Sequence, residues 1–531
     1  MDGITDSTVE DWGPFGRPLF DDPSARALSR VGVVDVGSNS VRLVVFDGAA
    51  RSPAYFFNEK ILCGLGADMA RTGQLNPSGR KRALAAIKRF VLLAESMEAT
   101  PLTAIATAAV REASDGPDFI SEVKAQTGLK IWTIDGKEEA RLSAQGVLLG
   151  WPEAEGLVCD IGGSSMELAL VGNGKVGARI TSPLGPLKLT GIPGGKKGLK
   201  AHIRSVVQGL AREIGTKQAR LYLVGGSWRA IARVDMERRG YPLHVLHEYE
   251  MTPNSVSKTV RFISENDMEQ VRQTTGTSAE RMALVPTAAL VLQQLLAVFG
   301  PKKISISSYG IREGMLYEQM PKKLRERDPL IEACRFDERK YARQPGFGKK
   351  LFNFITPLFG KMTDQRRRIV MAACLLHDVS WRAHPDYRAE VCFENVTRAN
   401  LGGLKHHERI ALGFALLHRY KNNRTGQFQP MVEMLSEQEL KQAIILGRAM
   451  RFGSMLAGAA PETLARLKWR PQKKVLTLTI DPKFVDLFGE IAQARFKALA
   501  DALGATTEVL HKKLPAAAKK AKQPALPKNP A

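Results

Sequence analysis

Two short turns built from an acid, glycines and small hydroxyl residues carry the types needed to hold phosphate. In residues 33–46 the run Asp35-Val36-Gly37-Ser38-Asn39-Ser40-Val41-Arg42 follows an apolar stretch and leads into an alternating one. Residues 157–171 repeat the layout as Asp160-Ile161-Gly162-Gly163-Ser164-Ser165-Met166-Glu167. At a constant offset of 125 residues Asp35 falls on Asp160, Gly37 on Gly162, Ser40 on Ser165 and Arg42 on Glu167. That spacing is too long for a solenoid unit and points to two related half-domains. Each copy reads as a β-hairpin. Glycine allows close approach to the backbone, whose N–H groups in such a turn cradle an anion. Ser38, Asn39, Ser40, Ser164 and Ser165 add donors, and each aspartate offers a hard oxygen suited to Mg2+. One such loop joins strands in many proteins, but two facing across a cleft form a site for phosphoryl transfer.

Further candidates flank these turns. Arg111 stands just beyond an apolar strand beginning at Leu102, where a guanidinium either grips phosphate bidentately or rests on the surface. Glu138 and Glu139 open a helix over residues 139–149. Acids there favour the helix dipole, and one of the two could instead orient water as a general base. Gly225-Gly226-Ser227 lies between a strand and a helix, and a helix start behind such a turn attracts an anion. Lys196, Lys197 and Lys200 form a basic rim on a glycine-rich loop.

The positioning elements follow from composition and periodicity. A flexible acidic arm occupies 1–29, half-domains 30–152 and 153–320, a helical domain 321–510, and a disordered basic tail 511–531. Asn76 and Pro77 cap and open a helix over 76–97. The apolar run 282–299 is interrupted by Pro286, Gln293 and Gln294, which predicts a buried helix and no membrane span. The start of the chain lacks the signal-peptide order, so a cytoplasmic protein is expected. Cys63, Cys159, Cys334, Cys374 and Cys392 are scattered without zinc spacing and read as buried thiols. Lys plus Arg number 77 against 54 Asp plus Glu, a net +23. Such an excess suits a polyanionic partner or a solvated basic surface. The tail has no interleaved aromatics, which argues against nucleic acid.

The paired turns, with Arg111-Glu112-Ala113, Gly136-Lys137-Glu138-Glu139-Ala140-Arg141, Leu184-Gly185, Gly225-Gly226-Ser227 and Gly310-Ile311-Arg312-Glu313-Gly314, resemble the exopolyphosphatase and guanosine pentaphosphate phosphatase family over about residues 31–318. The resemblance implies an α/β fold of two ribonuclease-H-like half-domains with mixed sheets, as in the actin, Hsp70 and sugar kinase superfold. It implies that Glu139 is the catalytic base and that Arg111 holds the terminal phosphate. Ser38, Asn39, Ser40 and Arg42 would line one phosphate loop and Gly162, Gly163, Ser164 and Ser165 the other, with Asp35, Asp160 and Glu167 around Mg2+. A homodimer acting on inorganic polyphosphate, or on pppGpp, is the implied system, with ppGpp as a further ligand. Two departures stand out: Ser164 replaces a usual glycine, and Trp228 follows Gly-Ser where a small residue is common, either stacking on a base or filling the cleft floor. Ala372-Ala373-Cys374-Leu375-Leu376-His377-Asp378 resembles the HD-like α-helical domain of longer members, although no histidine lies between His247 and His377 to complete a metal set. Alternatives within this frame are pentaphosphate hydrolysis, a polyphosphate kinase, and a non-catalytic binding protein.

Overall fold

The computed structural model describes residues 30–47, 51, 53–421 and 426–514. The expected acidic arm and nearly all of the expected tail lie outside these residues. The chain divides into one unit of Met1–Phe336 with Arg398–His406 and another of Asp337–Thr397 with His407–Ala531.

The first unit contains two sheets of matching plan. Strands β1 (Arg30–Val36), β2 (Ser40–Asp47), β3 (Ala54–Leu62), β4 (Leu102–Ala106) and β5 (Ile131–Thr133) form the order β3-β2-β1-β4-β5. Strands β6 (Gly156–Ile161), β7 (Met166–Gly172), β8 (Lys175–Ser182), β9 (Arg220–Val224), β10 (Glu250–Met251) and β11 (Lys303–Ser307) form β10-β11-β9-β6-β7-β8. In each, an antiparallel ribbon of three strands is followed by parallel partners: β1 with β4, and β6 with β9. This is the plan of two related half-domains that the repeated turns imply, in the ribonuclease-H-like form that the resemblance implies. Val31, Val33, Val34 and Val36 are fully buried, as expected of a central strand covered on both faces.

Two helices knit the half-domains together. Helix Gly136–Gly150 lays Ala140, Ala144, Val147 and Leu148 on the second sheet, against Val158, Ala169 and Val224. Helix Ile311–Gln319 lays Met315 and Leu316 on the first sheet, against Val31, Val33 and Phe46. The two helices cross backbone to backbone. A Cβ at Gly314 would lie 1.8 Å from the Leu142 carbonyl oxygen and one at Gly146 2.2 Å from that of Gly310. Glycine is therefore required at the crossing, and Glu139 and Arg312 are carried on elements that cannot shift independently.

Local signals hold where they were strong. Asn76 accepts from the Gly79 N–H at 2.8 Å and Pro77 opens helix Pro77–Ser96. Residues 279–299 are long and apolar enough to cross a membrane by composition, yet helix Val285–Phe299 buries Val285, Val291, Leu292 and Leu295 in the core of the second half-domain. All five cysteines are buried, as expected.

The second unit is mainly helical, with Phe347–Ile355, Asp364–Leu376, Glu437–Leu456 and Glu490–Leu503 among its helices. It also holds a three-stranded sheet, β12 (Ala465–Arg470), β13 (Val475–Ile480) and β14 (Thr506–His511), in the order β12-β13-β14. Of these, the sequence alone marks a strand-like stretch over 474–480, which is β13.

Candidate active site

The two turns are equivalent in atomic detail. In β1–β2, Asp35 stands opposite Arg42, and the Gly37 N–H donates to the Ser40 carbonyl at 3.0 Å. In β6–β7, Asp160 stands opposite Glu167, and the Gly162 N–H donates to the Ser165 carbonyl at 2.9 Å. The carbonyls at equivalent positions are tied back to the body of each half: Ser38 accepts from Gly66 N at 2.7 Å and Gly163 from Leu187 N at 2.9 Å. A Cβ at Gly185 would fall 2.2 Å from the Ser164 carbonyl carbon, so glycine admits the second turn to its seat. The turns meet each other, with Ser164 Oγ 3.4 Å from Ser38 Oγ. Asn39 is exposed, and its carbonyl accepts from the Cys63 and Gly64 N–H groups.

Helix phase separates the two adjacent glutamates. Asp135 caps the helix through the Glu138 N–H at 2.7 Å. Glu138 turns outward to Arg141, which also binds Glu318. Glu139 turns inward, 13% exposed, with Oε2 3.8 Å from Arg111 Nη1. Arg111 Nη1 is fixed by the Ile134 carbonyl at 2.8 Å. The structure thus brings Arg111, Glu139 and both turns to one cleft.

Four acids share that cleft. Burial, followed by the charges of Glu167 and Asp160, pushes the Glu139 carboxyl well above the usual range, and Arg111 opposes the shift. Burial and Asp160 push Glu167 up to about 8. Asp35 and Asp160 are also raised, chiefly by burial. Among the described residues no three His, Cys, Asp or Glu side chains form a ready metal cage. Two buried oxygens, Glu139 Oε2 and Glu167 Oε2, nevertheless have no hydrogen-bond partner. Crowded, partly unsatisfied carboxylates suit a cation such as Mg2+, which takes one or two protein oxygens and fills its shell with water and phosphate.

Several participants were not singled out as site residues in the sequence. Ser143, one turn beyond Glu139 and fully buried, donates to Asp160 Oδ2. Thr181 Oγ1 donates to Glu167 Oε1 at 3.0 Å. Arg312 lies 3.5 Å from Asp35. Its neighbour Glu313 accepts from Gly310 N at 2.7 Å and from the Tyr55 hydroxyl at 2.9 Å. Arg229, in the first turn of helix Gly226–Arg238, is lowered to about 10 by burial, Arg312 and Arg281. Lys60 is lowered by burial and by Arg281, Arg42 and Arg312. These cations crowd one another along the cleft. Gly226 and Ser227 open that helix as expected, and the Arg281 guanidinium lies 3.0–3.2 Å from where a Gly226 Cβ would sit. Trp228 is fully buried in the hydrophobic core with Cys159, so it packs beneath the sheet and stacks on no base.

In the helical unit His377 Nδ1 bonds the Cys374 carbonyl at 2.8 Å. Asp378 is held bidentately by Arg343, Nε at 2.8 Å and Nη2 at 2.6 Å. A guanidinium thus neutralises the aspartate of the His-Asp pair.

The chain is also similar to known proteins. A family model described as the Ppx/GppA phosphatase family matches residues 44–323, and one described as exopolyphosphatase, C-terminal, matches 341–510. Exopolyphosphatase 1 of Mycobacterium tuberculosis is 25% identical over 305 residues, 55% of this chain and 88% of that protein. A guanosine-5'-triphosphate,3'-diphosphate pyrophosphatase of Aeromonas hydrophila is 22% identical over 475 residues, 85% of this chain and 92% of that protein. Among solved structures, an exopolyphosphatase from Cytophaga hutchinsonii aligns with a TM-score of 0.49 at 21% identity, over 56% of this chain and 99% of that one.

Proposed function

We propose, from the premise that this chain belongs to the Ppx/GppA phosphatase family, that it is an exopolyphosphatase, releasing orthophosphate from the end of inorganic polyphosphate. The observation that carries this reading is Glu139 facing Arg111 at 3.8 Å in the cleft where the two phosphate turns meet.

In this mechanism the terminal phosphoryl group sits between the turns, whose N–H groups and Ser38, Ser40, Ser164 and Ser165 hydroxyls hold its oxygens. Arg111 grips the same group. Glu139 accepts a proton from water as the water oxygen bonds to phosphorus in line, and the bridging P–O bond breaks, leaving the shortened chain with the electron pair. Burial raises the affinity of Glu139 for a proton, so its ionised form is a stronger base than an exposed carboxylate. Asp35, Asp160 and Glu167 would hold Mg2+, which when bound supplies positive charge to offset that on the phosphate oxygens. Ser143 and Thr181 orient the last two acids. The crowded cations Lys60, Arg229, Arg281 and Arg312 suit the phosphates beyond the scissile one. On the same reading the protein works as a cytoplasmic homodimer, and light scattering on purified protein checks the assembly.

The likeness to a guanosine-5'-triphosphate,3'-diphosphate pyrophosphatase spans 85% of the chain and favours hydrolysis of pppGpp as the second reading. Phosphate release from long-chain polyphosphate and from pppGpp, measured side by side with and without Mg2+, separates the two. Glu139→Gln should lower kcat on the preferred substrate by about 10²–10⁴-fold, the range for losing a general base. Wild-type turnover by that variant would remove Glu139 from the mechanism.

A further inference from the structure

Beside the cleft one carboxylate is shared between two cations that come from different half-domains. Helix Ala108–Glu112 ends on Arg111 and Glu112. Glu112 Oε1 lies 3.6 Å from Arg111 Nη2, and Glu112 Oε2 accepts from Lys188 Nζ at 2.8 Å. Lys188 belongs to the second half-domain, in the segment between β8 and helix Gly195–Ile214. Its backbone is fixed on both sides. The Leu187 N–H donates to the Gly163 carbonyl of the second turn, the Lys188 N–H donates to the Gly185 carbonyl at 3.0 Å, and Leu189 is buried in the core of that half. The side chain therefore starts from the seat of the second turn and ends on the acid next to Arg111.

Which nitrogen Glu112 faces decides what this contact does. Arg111 Nη1 is committed to the Ile134 carbonyl at 2.8 Å. A guanidinium grips phosphate with two parallel N–H groups, either Nη1 with Nη2 or Nε with Nη2. Nη2 belongs to both forks, and it is the nitrogen that Glu112 faces. At 3.6 Å the two form an ion pair without a hydrogen bond. A Glu112 carboxylate released from Lys188 would close on Arg111, because an arginine–carboxylate pair is the stronger, and would hold the fork against phosphate. The Glu112 and Lys188 side chains are 37% and 38% exposed. An exposed pair of this kind adds little to stability, so what it offers the protein is its place beside the fork.

We propose that Lys188 is a positioning residue for phosphate binding. By engaging Glu112 it keeps that acid off Arg111 Nη2 and leaves the guanidinium fork open to a terminal phosphate. The proposal rests on the reading that Arg111 grips phosphate, and it adds a residue that acts without touching the substrate. Glu139, the other acid near Arg111, faces Nη1 at 3.8 Å, so the two acids approach different nitrogens and Lys188 relieves only one of them.

Calorimetric titration of the full-length chain with tripolyphosphate, in EDTA, tests this. Arg111→Met should weaken binding most, which ties the heat to the cleft. Lys188→Met should weaken it roughly fivefold, the scale of an exposed ion pair turned against the ligand. Lys188→Arg, which still pairs with Glu112, should stay within about twofold of wild type. Glu112→Gln should bind as tightly as wild type or tighter. In that background Lys188→Met should cost no more than about twofold, since the competing acid is gone. Matching melting temperatures report an intact fold, as expected for an exposed pair. The proposal is overturned if Lys188→Met binds like wild type, if it weakens binding equally with and without Glu112, or if Arg111→Met leaves binding unchanged. Turnover is read separately. A chain with this pattern of affinities that releases no phosphate from polyphosphate or pppGpp keeps the proposal and loses the exopolyphosphatase reading, while turnover with equal affinities across the Lys188 series does the reverse.

Discussion

Hairpins β1–β2 and β6–β7 place Asp35 opposite Arg42 and Asp160 opposite Glu167 at equivalent rungs of the same ladder, with the same turn hydrogen bond and the same anchored carbonyl. Duplication has kept the backbone of the turn and changed the charge beside it. On the first wall Arg42, with Lys60 and Arg312 nearby, offers positive charge directly to an anion. On the second, burial and the Asp160 charge raise the affinity of Glu167 for a proton, so that wall is complete only with a cation or a proton. Glu139 lies on a helix packed against the second sheet, while Arg111 follows the last long strand of the first. On the proposed mechanism, binding collects on one wall and proton and cation handling on the other, and the backbone alone would not distinguish them.

The largest effect that could break this division comes from neutralising each wall in turn. Glu167→Gln should lower kcat by about 10²–10³-fold and raise the Mg2+ concentration needed for half-maximal rate, as for loss of charge stabilisation in the transition state. Arg42→Met should instead raise KM about 10-fold with kcat within a few-fold, the mark of lost ground-state binding. Steady-state kinetics at saturating and limiting Mg2+ decide. A KM effect from Glu167 together with a kcat effect from Arg42 would reverse the assignment.

How much of this was legible beforehand depends on how local each signal was. The turns were, because acid, glycine and serine lie within eight residues and recur at a fixed offset. The residues alone left Glu138 and Glu139 open, since both stand in one helical turn, and the resemblance chose Glu139; the structure supplies the geometry, because burial of Ala140, Ala144 and Val147 rotates Glu139 toward Arg111. Ser143, Arg229 and Arg281 reach the cleft from segments far apart in sequence, and only the fold brings them there. Arg312 was within reach of inference, because Gly310 and Gly314 on either side of it signal a close helix crossing. In the helical unit β13 was visible through Leu476, Leu478 and Ile480 alternating with threonine. Its neighbour β12 shows Arg466 and Lys468 at alternate positions, which reads as a charged surface segment until the buried Ala465 and Leu467 are seen facing the core.

A smaller effect sharpens what the walls share. If backbone N–H groups do most of the holding, Ser164→Gly, which removes the hydroxyl facing Ser38, should change kcat/KM by no more than about threefold, roughly the worth of one neutral hydrogen bond. A loss beyond about 30-fold would assign the phosphate contact to the side chain and make the second turn unlike the first.

The smallest effect is read in stability and follows from the charge difference itself. Glu167 is raised from an ordinary 4.5 to about 8 in the folded chain, so the folded state holds this proton more tightly than the unfolded one. Its contribution is therefore fully present below pH 4.5 and is lost as the pH rises through about 8. Without metal, the melting temperature of the first unit should fall between pH 5 and pH 8, and Glu167→Gln should flatten that fall by about 2–5 °C. Mg2+ should protect more at pH 8 than at pH 5, because only the ionised wall attracts it. Arg42 stays charged throughout this range, so Arg42→Met should leave the slope of melting temperature against pH unchanged. Parallel slopes for Glu167→Gln and wild type would mean that the acids of the second wall are not coupled, and the contrast between the two hairpins would then rest on shape alone.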